Sequence, residues 1–276
     1  MAPSLSVIIP TYNEAQNIAG CLESLLGQSK KAEEIIVVDD GSTDATIKIV
    51  SGYPVTLLKS RHQGPGVSRN LGATKARGDI LVFVDADMTF DKHFLKYLTR
   101  PIMSGKVKGV FNAREFVSNF EKPLARCWNF NNGLTGKRRM NIRSKEDTED
   151  FRAILRSEFT KVGGFDNTGY TDSRTLVKKL GYRPQPERKG ISYHANPETY
   201  QEIFLQARWI GKRKTKFVLF GKICNLLRYS LPISLVVGLY RSVRHHCPEF
   251  FFFKVVYDFG YLTGTLSSII GSDLNK

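Results

Sequence analysis

In the stretch "LVFVDADMTF", residues 81–90, four apolar residues are followed by two carboxylates that are separated by one residue. In an extended chain, residues two positions apart point to the same side, so Asp85 and Asp87 can face one ligand together. Two carboxylates this close repel each other unless a positive charge lies near them. A divalent cation that is also bound by phosphate oxygens supplies this charge. The stretch therefore predicts a buried strand that ends at a metal site.

Three more apolar strands precede this one along the chain. We predict strands over 5–10, 34–39, 55–59 and 80–85, and helices near 17–26, 43–50 and 65–76, with Ser42 as an N-cap and Gly78 as a stop. Alternation of strand and helix predicts an α/β fold with a mainly parallel sheet and flanking helices. Ligands of such sheets bind beyond the carboxyl ends of the strands, which here read "PTYNE", "DDGSTD" and "DAD".

Composition places the chain among globular proteins. It has 276 residues, 41% of them hydrophobic, and can bury a sizeable core. Its four cysteines are isolated and show no zinc-binding spacing, which favours reduced thiols in a cytoplasmic compartment. The N-terminus has no basic segment followed by an apolar one, so we expect no export of the N-terminal domain.

The net charge of +15 is concentrated in two segments. Residues 122–145 hold seven Lys or Arg and no acid, and residues 201–246 hold nine against the single Glu202. An anionic surface or a phosphorylated substrate is expected at these segments. Nucleic acid would fit the charge equally well, and solvated basic loops are the simplest alternative.

Several motifs together resemble one enzyme family. "SVIIPTYNE", "EIIVVDDGSTD", "GVSRNLGATKARGDILVFVDAD" and "GGFD" resemble, in order and spacing, glycosyltransferase family 2, whose nucleotide-sugar domain has the Rossmann-like GT-A fold. The resemblance covers residues 4–195 and implies inverting transfer that depends on Mn2+ or Mg2+. It also implies roles for individual residues: Pro10, Tyr12, Glu14 and Asp40 hold the nucleoside, Arg69 lies near the base or phosphates, Asp85 lies by the ribose and metal, and Asp87 binds the metal.

The acceptor side follows in the second half. "FRAILRSEFTKVGGFD" resembles the strand, short helix and Gly-Gly turn under the family's acceptor site. Family members usually carry Glu-Asp at the start of the next helix, with the Asp as catalytic base. Here the pair is Thr171-Asp172, so Asp172 matches the base and the Glu is missing. A plain helix N-cap is the alternative for Asp172.

Two further features carry weaker resemblances. "QARW" resembles the Gln-x-x-Arg-Trp signature of cellulose-synthase-like members, although its leading position is Leu205. This implies that Gln206, Arg208 and Trp209 contact the diphosphate and acceptor entrance; a helix with a buried Trp and an exposed Arg is the alternative. His194 ends a predicted strand and completes the metal shell if it acts like a C-terminal His of some GT-A enzymes; a structural role is the alternative.

The C-terminal region predicts membrane association. Residues 217–240 and 250–271 are each long enough to cross a bilayer of roughly 30 Å. Lys222 and Lys254 can reach the interface, whereas Arg228 and Asp258 need partners, with each other as candidates. The basic connector "RSVRHHCPE" argues against a simple hairpin and favours helices that lie in the cytoplasmic interface. Despite this connector, we expect membrane attachment through residues 217–271, with spanning slightly favoured over lying in the interface. A buried helical pair in a soluble domain is the alternative.

These features combine into one prediction. We expect a GT-A catalytic domain over 1–211 on the cytoplasmic face and a membrane-associated helical region over 212–276 that binds anionic lipids. A hexose, with mannose from GDP-mannose favoured by similarity to small mannosyltransferases, would pass to a lipid-linked saccharide or polyprenyl phosphate. A homo-oligomer is left open, and no nucleic-acid partner is expected. The alternatives are a basic nucleic-acid-binding protein and a sugar nucleotidyltransferase, but the latter usually has a Gly-rich loop after its first strand.

Overall fold

The computed structural model describes residues 3–142, 147–167, 172–212 and 218–270. Its strands are β1 (Leu5–Thr11), β2 (Glu34–Asp39), β3 (Thr56–Lys59), β4 (Ile80–Phe83), β5 (Met88–Phe90), β6 (Gly109–Asn112), β7 (Glu115–Val117), β8 (Ala153–Leu155), β9 (Gln185–Glu187) and β10 (Ser192–His194). Its helices are α1 (Ile18–Leu26), α2 (Thr46–Val50), α3 (Pro65–Lys75), α4 (Phe94–Met103), α5 (Pro123–Asn131), α6 (Arg156–Lys161), α7 (Asp172–Leu180), α8 (Tyr200–Gly211), α9 (Val218–Arg228), α10 (Leu231–Arg244) and α11 (Glu249–Ile270).

The chain divides into two compact units. The first unit comprises Met1–Phe116 and Met140–His194, and the second comprises Val117–Arg139 and Ala195–Lys276. This division differs from the predicted boundary between residues 211 and 212. The reason is that α5 and α8 both pack against α11, so they belong to the C-terminal helices rather than to the sheet.

A seven-stranded sheet in the order β3-β2-β1-β4-β8-β6-β9 forms the centre of the first unit. The four predicted strands lie side by side in parallel, as the alternating pattern requires. Strand β8 runs antiparallel between β4 and β6. The predicted α/β class is confirmed.

One predicted helix start is wrong. Ser42 does not cap α2, which begins at Thr46 after Ala45. The Ser42 hydroxyl instead accepts a hydrogen bond from the backbone N–H of Asn13 at 2.9 Å. Ser42 therefore ties the loop after β2 to the loop after β1.

Both faces of the sheet are buried, which explains the continuous apolar runs of its strands. Val7 and Ile9 of β1 belong to one apolar cluster and Ile8 to the other. Helix α3 lies close to the second face, because a Cβ added at Gly72 would stand 2.5 Å from the Ile8 side chain. Glycine at position 72 permits this close contact of helix and sheet.

A second, three-stranded sheet has the order β5-β10-β7. Strands β5 and β10 pair antiparallel, with His194 opposite Met88. This register brings the end of β10 to the segment that follows β4. The small sheet thus brings together residues that are far apart in the sequence.

The second unit is helical and closely packed. Added Cβ atoms at Gly211 on α8 and at Gly260 and Gly264 on α11 would stand between 2.0 and 2.6 Å from backbone oxygens of the facing helix. Small residues at these three positions let the two helix backbones approach closely. Helix α10 packs against α11 through Ser234 and Gly238.

The C-terminal helices differ from the predicted spans. Residues 217–240 do not form one helix, since α9 ends at Arg228 and α10 begins at Leu231. Among the residues that the structure describes, no helix has the length and apolar character needed to cross a membrane. Asp258 does have a partner, but it is Lys254, whose ammonium lies 2.6 Å from the Asp258 carboxylate. The predicted pairing of Asp258 with Arg228 is wrong.

Candidate functional site

The candidate site lies at the carboxyl edge of the parallel strands in the first unit. Tyr12 and Glu14 follow β1, Asp40 follows β2, and Asp85 and Asp87 follow β4. Because parallel strands end at the same edge of a sheet, the sequence brings these side chains to one region.

Pro10 differs from the residues that follow the strand ends. It lies inside β1, opposite Val38 of β2, and is buried. Its predicted contact with a nucleoside stays a prediction.

The Asp40 carboxylate holds the loop after β3. It is buried and accepts hydrogen bonds from the backbone N–H groups of Gln63 and Gly64, at 3.0 and 2.8 Å. His62 Nδ1 lies 3.0 Å from the second carboxylate oxygen, and the His62 ring stacks on Tyr12 with 4.1 Å between ring centroids. Asp40 therefore fixes an aromatic pair at the mouth of the predicted nucleoside site.

Asp85 lies between two guanidinium groups. Arg69, on α3, donates to its carboxylate at 2.7 Å, and Arg152, just before β8, approaches the other oxygen at 3.5 Å. Burial alone would raise the pKa of Asp85, but the two guanidinium charges outweigh it and hold this pKa well below its usual range. Asp85 is thus a fixed negative charge.

Arg152 reaches this place because of the strand directions. Strand β8 runs antiparallel to β4, so the residue before β8 lies beside the residues after β4. The Arg152 side chain also donates to the Phe83 carbonyl at 3.2 Å. Burial alone would lower the pKa of Arg152, but the surrounding carboxylates, with Asp85 foremost, raise it instead.

Asp87 contacts His194, and both residues are predicted metal ligands. His194 Nε2 lies 2.7 Å from the Asp87 carboxylate, and His194 Nδ1 lies 3.2 Å from Glu115 on β7. The Glu115 side chain is 5% exposed, whereas that of Asp87 is 31% exposed. The imidazole is therefore held from within by Glu115 and faces outward toward Asp87.

The pKa of Glu14 reflects the burial and the charges at this edge of the sheet. Its partial burial, together with the charges of Asp87 and Asp85, raises its pKa from 4.5 to about 7. A hydrogen bond from Asn17 opposes the rise only in part. Burial and the neighbouring carboxylates therefore both favour the protonated form of Glu14.

This donor set fits a divalent cation that is shared with a substrate. In the described part of the chain, no group of three or more His, Cys, Asp or Glu side chains could hold an ion by itself. Asp87 and His194 instead form a pair with Asp85 close by. Mg2+ is typically bound through one or two carboxylates together with substrate phosphates and water, and imidazole also suits transition metals.

The remaining predicted residues lie on helices α7 and α8. Asp172 is the first residue of α7, as predicted, while its neighbour Thr171 lies outside the described residues. Gln206, Arg208 and Trp209 lie on α8 in the second unit, and Trp209 is 37% exposed rather than buried. Their predicted contacts with the diphosphate and the acceptor stay predictions.

Solved structures share the fold. The mannosyltransferase PcManGT from Pyrobaculum calidifontis, in complex with GDP-Man and Mn2+, is similar with a TM-score of 0.64 and 18% identity, over 99% of this chain and 89% of that one. S. aureus TarS 1–349 in complex with UDP-GlcNAc is similar with a TM-score of 0.57 and 18% identity, over 97% and 92% of the two chains. At such identities the likeness concerns the fold alone.

Relatives are also evident at the sequence level. An uncharacterized glycosyltransferase from Haemophilus influenzae is 31% identical over 207 residues, which are 68% of this chain and 67% of that protein. The uncharacterized glycosyltransferase YibD of Escherichia coli is 46% identical over 88 residues, or 30% of this chain. The chain spans only 26% of the length of YibD.

The family assignment rests on a longer match. The sequence pattern of Glycosyl transferase family 2 matches residues 6–163, which include the loops after β1, β2 and β4 and the turn after α6. This match covers more than half of the chain and agrees with the parallel sheet and its acidic edge. The chain therefore belongs to glycosyl transferase family 2 and is a glycosyltransferase with the GT-A fold.

Proposed function

We propose that the protein is an inverting, metal-dependent glycosyltransferase that moves a hexose from a nucleotide-diphosphate sugar to a lipid-linked acceptor at a membrane. The observation that carries the proposal is the contact between Asp87 and His194 beside the fixed carboxylate of Asp85. Such an arrangement suits an ion that also binds the donor diphosphate.

Asp87 and His194 would hold the ion, with Asp85 close by. When bound, Mn2+ or Mg2+ neutralises charge on the departing diphosphate. Tyr12 and the His62 ring that stacks on it would bind the base, which agrees with the predicted role of Tyr12. PcManGT, with GDP-Man and Mn2+, and TarS, with UDP-GlcNAc, are precedents for such donors within this fold.

Asp172 is the proposed general base. As the first residue of α7 it lies at a helix start, where the family motif requires a carboxylate. It would take the proton of an acceptor hydroxyl as the oxygen attacks the anomeric carbon, and this single displacement inverts the configuration. For a polyprenyl phosphate acceptor, whose oxygen is already anionic, a base would matter less.

The test of the base is the Asp172→Asn variant. We expect it to abolish transfer to a sugar hydroxyl and to leave nucleotide binding intact. Transfer to a polyprenyl phosphate would fall less, so the two acceptors distinguish the two classes of lipid substrate. Near-normal turnover with a saccharide acceptor would rule out Asp172 as the base.

The donor is proposed to be GDP-mannose. This choice rests on the similarity to small mannosyltransferases and on the fold shared with PcManGT, while TarS with UDP-GlcNAc provides the competing precedent. Hydrolysis of a panel of GDP and UDP sugars in the presence of Mn2+ would test it. Turnover of UDP-GlcNAc without turnover of GDP-mannose would overturn the choice.

Membrane attachment is proposed through the outer face of α10. Leu235, Val236, Leu239, Tyr240 and Val243 recur at helical spacing and are each 40% to 69% exposed. The opposite face, with Ser234 and Gly238, is buried against α11. An apolar stripe of this kind is typical of a helix that lies in the membrane interface.

Charge next to the stripe supports anionic lipid as the partner. Arg244, in the last turn of α10, donates to the Tyr240 hydroxyl of the stripe at 3.1 Å, and Arg228 ends α9. Basic residues beside an apolar helical face strengthen binding to anionic headgroups. A membrane-bound α10 would also bring the enzyme to a lipid-linked acceptor.

Vesicle sedimentation tests this attachment. The full chain should bind phosphatidylglycerol vesicles more strongly than phosphatidylcholine vesicles, and Val236→Asp should weaken both. Leu205→Asp is the matched control, since Leu205 is an exposed apolar residue on α8 and lies off the stripe. Equal loss of binding in both variants would argue against the α10 surface.

A further inference from the structure

Glu115 had no role in the sequence-based predictions, yet it is the most buried carboxylate that contacts the candidate metal pair. It lies at the start of β7, and its side chain is 5% exposed. One carboxylate oxygen is 3.2 Å from His194 Nδ1. A carboxylate at this depth needs partners, and His194 is one of them.

The second carboxylate oxygen of Glu115 faces Arg152 at 3.8 Å. Arg152 in turn approaches Asp85 at 3.5 Å and donates to the Phe83 carbonyl. Glu115 is thus held at both oxygens, and its orientation relative to the His194 ring is fixed.

The contacts form a chain that joins the two aspartates after β4. It runs from Asp87 to His194, to Glu115, to Arg152 and back to Asp85. Asp85 and Asp87 are two positions apart in the sequence but contact different partners, Arg152 and His194. Glu115 is the link between those partners.

We propose that Glu115 is a positioning residue that fixes the tautomer and the ring orientation of His194, so that Nε2 is presented to a divalent cation beside Asp87. This inference rests on the proposed metal-dependent function. Ligating histidines generally donate their other ring N–H to a carboxylate or a carbonyl, and this contact sets the tautomer. Glu115 is buried behind His194, so the role assigned to it is positioning rather than catalysis.

The inference predicts a specific loss of metal affinity. Titration calorimetry with MnCl2, in the presence of saturating GDP and separately of UDP, should show affinity reduced about 10- to 100-fold in Glu115→Gln. In a His194→Ala background the same substitution should cause no further loss, because Glu115 acts through His194. Nucleotide affinity in EDTA should remain as in the unchanged protein.

Asp150→Asn is the matched control. The Asp150 carboxylate faces the same Arg152 guanidinium at 4.0 Å, so this variant perturbs Arg152 while the Glu115 carboxylate stays at His194 Nδ1, and Mn2+ affinity should be unchanged. An equal loss of Mn2+ affinity in Asp150→Asn would overturn the inference. It would also be overturned if Glu115→Gln reduced Mn2+ affinity equally with His194 present and in the His194→Ala background. Unchanged Mn2+ affinity in Glu115→Gln would overturn it as well.

A measurement on the unchanged protein covers the case in which Glu115→Gln fails to fold. Two-bond 1H–15N correlation spectra of the Mg2+ and nucleotide complex should show His194 protonated at Nδ1. The opposite tautomer would overturn the role of Glu115. If the unchanged protein binds no Mn2+ with either nucleotide, the proposed metal dependence fails too, so the two failures are distinguishable.

Discussion

Charged side chains are buried in both units, but they are balanced in only one of them. In the second unit, the Lys254 ammonium and the Asp258 carboxylate are 2.6 Å apart, and the Ser234 hydroxyl donates to the second Asp258 oxygen at 2.6 Å. One positive charge meets one negative charge, and every carboxylate oxygen has a partner. Burial nevertheless lowers the pKa of Lys254, which marks the cost of placing an ammonium there.

The candidate site in the first unit is not balanced. Its carboxylates are those of Glu14, Asp85, Asp87 and Glu115, its guanidinium groups are those of Arg69 and Arg152, and its imidazole is that of His194. Burial raises the pKa of Glu14 most, and the neighbouring charges of Asp87 and Asp85 raise it further. In a closed pair, such as Lys254 and Asp258, each charge offsets the cost of burying the other, whereas unbalanced carboxylates mark a place where a cation binds.

The largest expected effect is on the closed pair. Asp258→Asn leaves the Lys254 ammonium buried without a counter-charge and should lower the free energy of unfolding by about 3–5 kcal/mol. Urea unfolding measures the loss. The double variant Lys254→Met with Asp258→Leu should recover most of it, because an apolar pair has no charge to bury. A loss below about 1 kcal/mol would mean that the pair behaves like a surface ion pair.

Asp87→Asn should affect activity rather than stability. Metal stabilisation of developing charge is worth several kcal/mol, so kcat/KM should fall about 100-fold or more. The melting temperature in EDTA should stay the same or rise, since one carboxylate of the excess is removed. Asp91→Asn is the control, because Asp91 caps the backbone N–H of His93 just beyond β5. A clear fall in melting temperature for Asp87→Asn would contradict the comparison.

The pH dependence of stability should report the burial of Glu14 together with its neighbouring carboxylates. The pKa of Glu14 is about 7 when folded and 4.5 ordinarily, so the folded state retains a proton that the unfolded state releases. In EDTA, the free energy of unfolding should therefore fall as pH rises from about 4.5 to about 7, by about 2 kcal/mol after allowance for solvent screening. Glu14→Gln should remove this fall, and an unchanged pH profile in that variant would refute the assignment.

The smallest expected effect concerns a single hydrogen bond of the closed pair. Ser234→Ala removes the hydroxyl that donates to Asp258 and leaves the Lys254 contact in place. Hydrogen bonds to charged groups contribute about 1.5–3 kcal/mol, so urea unfolding should show a loss near the lower value. A loss as large as that of Asp258→Asn would mean that the hydroxyl, and not the ammonium, balances the carboxylate.

Sequence patterns predicted the part of the fold in which long apolar runs alternate with amphipathic helices. The first four strands and the first three helices lie within a few residues of their predicted bounds. Strand β10 ends at His194, as predicted, but the three-residue strands β5, β7 and β9 are too short for periodicity to reveal them. The contact between Lys254 and Asp258 could have been predicted from the sequence, because residues four apart lie on the same face of a helix.

Only part of the candidate site was predictable from the sequence, because its other contacts depend on short strands and on tertiary structure. Asp85 and Asp87 are separated by one residue and follow an obvious strand. Glu115 and His194 are 79 residues apart, and their contact depends on the small sheet, so no local pattern reveals it. Arg152 was missed because the antiparallel direction of β8, which brings it to Asp85, is a tertiary feature.

The first unit is assembled from two separate stretches of chain, Met1–Phe116 and Met140–His194. During synthesis on the ribosome, Asp87 is therefore made 107 residues before His194. At bacterial and eukaryotic rates this interval lasts roughly 5 to 20 s. Throughout this interval the nascent chain carries the carboxylates of Asp85 and Asp87 without the imidazole of His194. A premature stop codon before position 194 would therefore yield a chain that has the acidic motif but lacks the contact between Asp87 and His194.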